Sequence, residues 1–283
     1  MPTSPTLTLK DGVAVITGAG SGIGAALAQQ MAARGCHLAL SDIQPAGLEA
    51  TAAAARGHGV TVSTLVLDVA QPDAGEQLLA AVQAAHGRAT VLVNNAGVAV
   101  GGTFEQVSAA DFDWLMGINF HAVVRLTRAF LPLLQAQPAA QIVNVSSLFG
   151  LIAPPGQTAY CAAKFAVRGF SESLRHELEM ADSPVRLTVV HPGGVRTNIG
   201  EASRKPAGTT DAQIAEQRQQ WQRLLVLPPE VAAARMLQAI ERREPRVLVG
   251  NDAKQAALMQ RLFPVRYWSL MARALARRAG IQP

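Results

Sequence analysis

The chain has 283 residues, 49% of them hydrophobic, with a formal net charge of +5 and two cysteines. That length suits one generous α/β domain or two small ones, and no uninterrupted apolar run is long enough to span a bilayer. Cys36 and Cys161 cannot form a disulfide framework or a four-ligand zinc site, and the six histidines lack ligand spacing, so both cysteines read as reduced and structural and no metal is expected.

The amino-terminal MPTSPTLTLKDG lacks the basic-then-apolar layout of a secretory leader, and the expected compartment is the cytoplasm. The first strand candidate is VAVIT, from Val13. Directly after it, TGAGSGIG (Thr17 to Gly24) opens the helical segment GAALAQQMAARG. A glycine-rich turn between strand and helix lets backbone N–H groups approach a pyrophosphate at the positive end of the helix dipole. The glycines read as Gly18-x-x-x-Gly22-x-Gly24 or as Gly20-x-Gly22-x-x-Ala25, and no Lys-Ser/Thr follows, so a dinucleotide is expected rather than a Walker-type nucleotide. The second strand, HLALSD from His37, ends at Asp42, where a carboxylate can hold two ribose hydroxyls and repel a 2′-phosphate. No Arg or Lys stands in the turn or directly after Asp42, which favours NAD over NADP.

Further strand candidates are VTVSTLVLD (from Val60), TVLVNN (from Thr90), QIVNVSS (from Gln141), VRLTVVHP (from Val185) and RVLVG (from Arg246). Between them lie PDAGEQLLAAVQAAHG and one long helical segment, SAADFDWLMGINFHAVVRLTRAFLPLLQ. This alternation predicts a doubly wound, Rossmann-type parallel sheet of about seven strands with helices on both faces. With no linker in view, residues 1–283 read as a single dinucleotide-binding catalytic domain with its core at about 10–250. The polar, glycine-punctuated stretch 198–227 reads as a helical lid, and 251–283 as a basic helical extension.

Within the segment after the fifth strand, Tyr160-Cys161-Ala162-Ala163-Lys164 puts a phenol and an ammonium one helical turn apart, on one face. With two tyrosines and four lysines, that spacing arises by chance in roughly 0.03 of shuffled chains, so partners are worth seeking.

The ordered set TGAGSGIG, Asp42, Asp68-Val69, NNAG (Asn94 to Gly97), Asn119, Ser147, YCAAK and PGGVRT (Pro192 to Thr197) resembles the short-chain dehydrogenase/reductase family, from about Lys10 to about Gly250. The resemblance implies a role for each matching residue. Gly18, Ser21, Gly22, Ile23 and Gly24 would line the pyrophosphate turn, and Asp42 would take the adenosine ribose. Asp68 and Val69 would flank the adenine, and Asn95, Ala96 and Gly97 its ribose. Pro192, Gly193, Val195 and Thr197 would hold the nicotinamide end. Ser147, matched by its distance to Tyr160, would position the substrate oxygen. Tyr160 would be the general acid/base, its pKa drawn from about 10 toward 7 to 8 by Lys164 and the nicotinamide cation. Asn119 would hold a water in a proton relay from Lys164. Small residues at Cys161, Ala162 and Ala163 would let the helix pack closely.

The implied activity is hydride transfer between NAD(H) and a secondary alcohol or ketone, with Phe149, Leu151 and Trp221 as an apolar substrate wall. A ketoacyl-carrier reductase, whose acidic partner the basic tail could receive, and a non-catalytic dinucleotide sensor are the alternatives; Asp42 weighs against the first and the intact Asn119, Ser147, Tyr160 and Lys164 against the second. The resemblance also implies a homodimer or homotetramer through the long helices. Asn94 reads as a tie between strands and His191 as a hydrogen-bonded strand-end histidine. The tail reads as an amphipathic helix packed on the body, with membrane-surface contact the less favoured reading and no nucleic-acid partner expected.

Overall fold

A computed structural model of the chain describes residues 7–279, so residues 1–6 of the amino-terminal stretch and the last four of the expected basic extension lie outside the described residues. Seven strands form one sheet in the order β3-β2-β1-β4-β5-β6-β7, every pairing parallel. They are β1 (Val13–Thr17), β2 (His37–Asp42), β3 (Val62–Val66), β4 (Val91–Asn94), β5 (Ala140–Val145), β6 (Val185–Pro192) and β7 (Arg246–Val249). The expected third strand began at Val60 and ran to Asp68. It is shorter because β3 pairs only with β2, and the Leu67 N–H turns to the Asp42 carbonyl.

Side chains alternate between two cores, one on each face. Ala14, Ile16, Leu38, Leu40, Val91 and Val93 pack under α1 (Gly22–Ala32), α2 (Pro45–Arg56) and α8 (Pro229–Glu241). Val15, Ala39, Leu92 and Ile142 pack under α3 (Ala74–His86), α5 (Ala122–Gln135) and α6 (Thr158–Met180). Burial on both faces is why these strands read as unbroken apolar runs rather than alternating ones. The strand order reverses between β1 and β4, and the carboxyl ends of β1, β4, β5 and β6 meet around that switch point, where ligands of such sheets bind.

The expected long helix over 108–135 is divided. Ser108 caps α4 (Ala109–Met116) by accepting from the Asp111 N–H, and a π turn over Gly117–His121 then separates α4 from α5. In that turn the Ala122 N–H reaches the Gly117 carbonyl, one residue beyond the usual partner, and Asn119 lies fully buried within it.

The stretch 198–227 contains a turn-rich segment and α7 (Asp211–Leu224), started by a reciprocal capping box between Thr210 and Gln213. After β7 come α9 (Asn251–Leu262) and α10 (Tyr267–Ala279). Among the described residues, no helix is long and apolar enough to cross a membrane.

Candidate active site

Glycine is required at the first turn for two separable reasons. Gly18 and Gly22 adopt left-handed backbone, at φ +65° and +54°. At Gly24 a side chain would drive into the Gly18 carbonyl. Ser21 precedes α1 in an extended conformation with no side-chain cap, and no acidic residue stands in the first turn, so the helix N-terminus presents backbone N–H groups and positive dipole. The Ile23 side chain turns into the core, leaving its main chain to the turn.

Asp42 lies across this turn. Its Oδ2 accepts from the Gly20 N–H at 2.8 Å and its Oδ1 from the Gln44 N–H at 2.9 Å. A carboxylate has about four acceptor positions, so both oxygens keep capacity for ribose hydroxyls. Asp68 accepts from the Ala70 N–H at 2.9 Å, while the Val69 side chain is buried in the second core.

Asn95 is a clamp. Its Nδ2 donates to the carbonyls of Thr17 (2.9 Å) and Gly18 (3.0 Å), and the Asn95 and Ala96 N–H groups both donate to Thr17 Oγ1 at 3.1 Å. Thr17 is a partner that sequence reasoning missed; its hydroxyl carried no signal apart from its place at the end of β1. Asn94, by contrast, behaves as the strand tie expected of it, donating to Asn144 Oδ1 at 2.8 Å and to Thr127 Oγ1 at 3.2 Å.

The catalytic candidates converge on the first turns of α6. Lys164 is 3% exposed, its Nζ donating to the Val145 carbonyl at 3.0 Å and standing 5.7 Å from the centre of the Tyr160 ring. The ring of Phe149 meets Tyr160 edge-on at 6.1 Å, and the neighbouring Ser147 side chain holds the phenol pKa below what burial alone would give. Ser147 Oγ also accepts from the Phe149 N–H at 3.1 Å, and its carbonyl accepts from His191 Nδ1 at 2.9 Å. His191 is therefore the hydrogen-bonded histidine expected at the strand end; burial pushes its pKa down to about 4. Gly97 lies between Asn119 and Lys164, where an added Cβ would sit 3.3 Å from Asn119 Oδ1 and 3.5 Å from Lys164 Nζ. Both polar ends of the Asn119 side chain are taken by the Val98 backbone, at 2.8 and 2.9 Å. Of the small residues in YCAAK, Cys161 and Ala163 are buried but Ala162 is exposed, so close packing rests on two of the three.

The resemblance implies a Tyr160 pKa lowered by Lys164 and the nicotinamide cation together. In the protein itself, burial dominates both groups: the phenol is pushed up to about 12 and the ammonium down to about 8. The lysine therefore loses its proton before the tyrosine does. Tyr160 and Tyr267 are the two tyrosines. In Tyr267→Phe, absorbance at 295 nm is expected to report Tyr160 ionising near pH 12; a midpoint at or below 10 would contradict this burial. Because folding retains that proton, the Tyr160 contribution to stability falls as pH rises from about 10 to about 12.

The Pro192-Gly193-Gly194 turn follows β6. The Gly193 N–H donates to the Val249 carbonyl at 2.9 Å, the Val195 N–H to Gly193, and Thr197 closes over Gly22, where an added Cβ would lie 2.9 Å from Thr197 Cγ2. Of the expected apolar wall, Phe149 stands on Tyr160 and Leu151 is buried beside the same turn, whereas Trp221 packs against Gly200 within its own segment. Arg204, unremarked in the sequence, fastens that segment to the far side. Its backbone bonds Ala99 and Gly101, and its guanidinium pairs with Asp111 at 3.0 Å over the ring of Trp114 at 3.6 Å.

A family model described as short chain dehydrogenase matches residues 12–208. The chain belongs to that family. It is also 42% identical, over 94% of its length and 95% of the relative's, to SadH of Mycobacterium tuberculosis, which is named as an oxidoreductase. A short-chain dehydrogenase/reductase from Burkholderia phymatum, solved in complex with NAD, superposes with a TM-score of 0.85 at 33% identity, covering 91% of this chain and 95% of that one. A family member from Mycobacterium paratuberculosis bound to NAD has a TM-score of 0.75 at 26% identity, over 88% of this chain and 100% of the other. The residues just described lie in order along this family fold, with the glycine turn at the switch point and the Tyr160 group at the ends of β5 and β6.

Proposed function

We propose that the chain, acting as one catalytic unit, transfers hydride between NAD(H) and a secondary alcohol or ketone of apolar character. The observation that carries this reading is the convergence of Ser147, Tyr160 and Lys164 at the ends of β5 and α6, beside the glycine turn. The dinucleotide fits the residues present. Left-handed Gly18 and Gly22, the carbonyl-filled space at Gly24 and the uncapped start of α1 suit a pyrophosphate, and Asp42 suits the ribose. When bound, the nicotinamide supplies the hydride donor or acceptor.

Tyr160 donates its phenolic proton to the substrate oxygen in reduction and removes the hydroxyl proton in oxidation. Ser147, whose side chain acts on the Tyr160 phenol, holds that same oxygen as its charge changes. Lys164 keeps a positive charge beneath the ring below about pH 8, favouring the phenolate, and passes protons toward Asn119 across Gly97. With its side chain engaged by Val98, Asn119 can serve a relay water through its main chain, which the π turn reshapes. Phe149 and Leu151 line the apolar approach to Tyr160.

The test follows absorbance at 340 nm with NAD(H) and NADP(H) in parallel, over a panel of secondary alcohols and ketones. NAD(H)-preferring turnover is expected. Asp42→Ala should weaken NADH by roughly 10- to 100-fold, the value of a hydrogen bond to a charged group, and erase the preference; Asp42→Asn, which still accepts from Gly20, should separate charge from turn support. Preference for NADP(H) in the unaltered protein would overturn the role given to Asp42. Tight NAD binding without turnover across the panel would favour a dinucleotide sensor.

A further inference from the structure

The two loops that would flank a bound substrate are both fastened from the same place, the carboxy-terminal helices. Asp252, in the first turn of α9, accepts the Gly194 N–H on its Oδ2 at 2.7 Å. The same carboxylate presses on Gly193 so closely that a Cβ there would collide with it. A side chain at 193 would thus have to displace the carboxylate of a residue 59 positions later. The loop is also tied by Gly194 accepting from Val226 and Leu227, at 2.9 and 3.0 Å, but those partners belong to the exit of the covering segment. At the other end of the extension, Tyr267 begins α10, and its hydroxyl accepts the Ala153 N–H at 2.9 Å, just beyond the Ser147 turn. Between these two points α9 packs against Leu148–Gly150 itself.

We propose that α9 and α10 brace the active site through two positioning residues, Asp252 for the loop expected to face the nicotinamide and Tyr267 for the loop expected to face the substrate. The assignment of those loops rests on the function proposed above; the brace itself rests on the two hydrogen bonds. Each bond joins groups far apart in sequence, 58 and 114 residues, and each ends on the backbone of a different loop. The division predicts separable effects. A first-turn aspartate also favours its own helix, and a tyrosine also packs, so loss of stability alone says nothing about the brace.

The experiment uses the full chain as Asp252→Ala, Asp252→Asn and Tyr267→Phe, with amide hydrogen exchange, NADH titration and steady-state kinetics on each. Asp252→Ala should speed exchange at least about tenfold in the 193–197 segment and weaken NADH by about tenfold, the loss of one hydrogen bond to a charged group, leaving the 151–156 segment unchanged. Asp252→Asn, which keeps an acceptor, should restore most of the affinity. Tyr267→Phe should speed exchange at Ala153, leave the NADH Kd within about twofold, and raise the carbonyl-substrate KM by roughly three- to tenfold. Should Asp252→Ala fail to fold, Asp252→Ser, too short to reach Gly194, takes its place. Unchanged exchange in both loops, or equal loosening of both loops by either variant, would overturn the brace. Failure of the unaltered protein to bind NADH or NADPH would sink the functional reading instead, and the exchange results would still decide the brace.

Discussion

Replacing Tyr160 with phenylalanine is expected to lower hydride transfer by about 10²- to 10⁴-fold while changing NADH affinity by less than about twofold, the range for removing a positioned acid/base. The surroundings offer no substitute. Lys164 Nζ donates to the Val145 carbonyl below the ring, and Ser147 Oγ already accepts from the Phe149 N–H. His191, the nearest imidazole bonded to this group, donates Nδ1 to the Ser147 backbone and is held neutral by burial. Its proton is held by the Ser147 carbonyl. Packing should survive, because phenylalanine keeps the ring that Phe149 meets edge-on. Single-turnover rates with saturating NADH decide the matter; residual turnover within tenfold of the unaltered protein would mean that another group moves the proton.

Gly24→Ala is expected to abolish measurable dinucleotide binding and to destabilise the fold by about 1 to 3 kcal/mol, the usual cost of an added carbon in a packed interior. The carbon would meet the Gly18 carbonyl and the Asn95 amide, which lies 2.6 Å from the Cβ position. Neither can retreat cheaply. The carbonyl is main chain in a left-handed residue, and the amide is bonded to Thr17 and Gly18. Gly59→Ala is the control: it is also left-handed, at φ +77°, but an added Cβ would have nothing within 4 Å, so only the conformational cost of about 1 kcal/mol is expected, with binding intact. Denaturant midpoints and NADH titrations separate the two variants. An unaltered NADH Kd in Gly24→Ala would remove this turn as the cofactor seat.

What was legible in the sequence follows from which physical terms are local. All seven strands were, the central ones because burial on both faces writes an apolar run into them, and so was the glycine turn, whose left-handed positions admit little else. The π turn was not, because moving one hydrogen bond by one residue inside an apolar helix leaves the pattern of Gly117–His121 unchanged. Spacing placed Lys164 beside Tyr160 correctly but was blind to burial, and burial sets the direction in which both groups shift. Arg204, Asp252 and Tyr267 find partners 93, 58 and 114 residues away, so their positions depend on the route of the chain after β6 and β7. Trp221, expected at the substrate wall from its place within the 198–227 stretch, contacts Gly200 of that same stretch.

The Asn95 clamp has a bearing on how the polypeptide is made. Its amide completes the glycine turn from 78 residues downstream, and β1 gains its second neighbour only when β4 arrives. During synthesis at about 5 to 20 residues per second, the turn is exposed for roughly 4 to 16 s before that neighbour exists. A nascent chain therefore passes through a stage in which its first half-sheet has an open edge at β1 and the glycine turn lacks its Asn95 clamp.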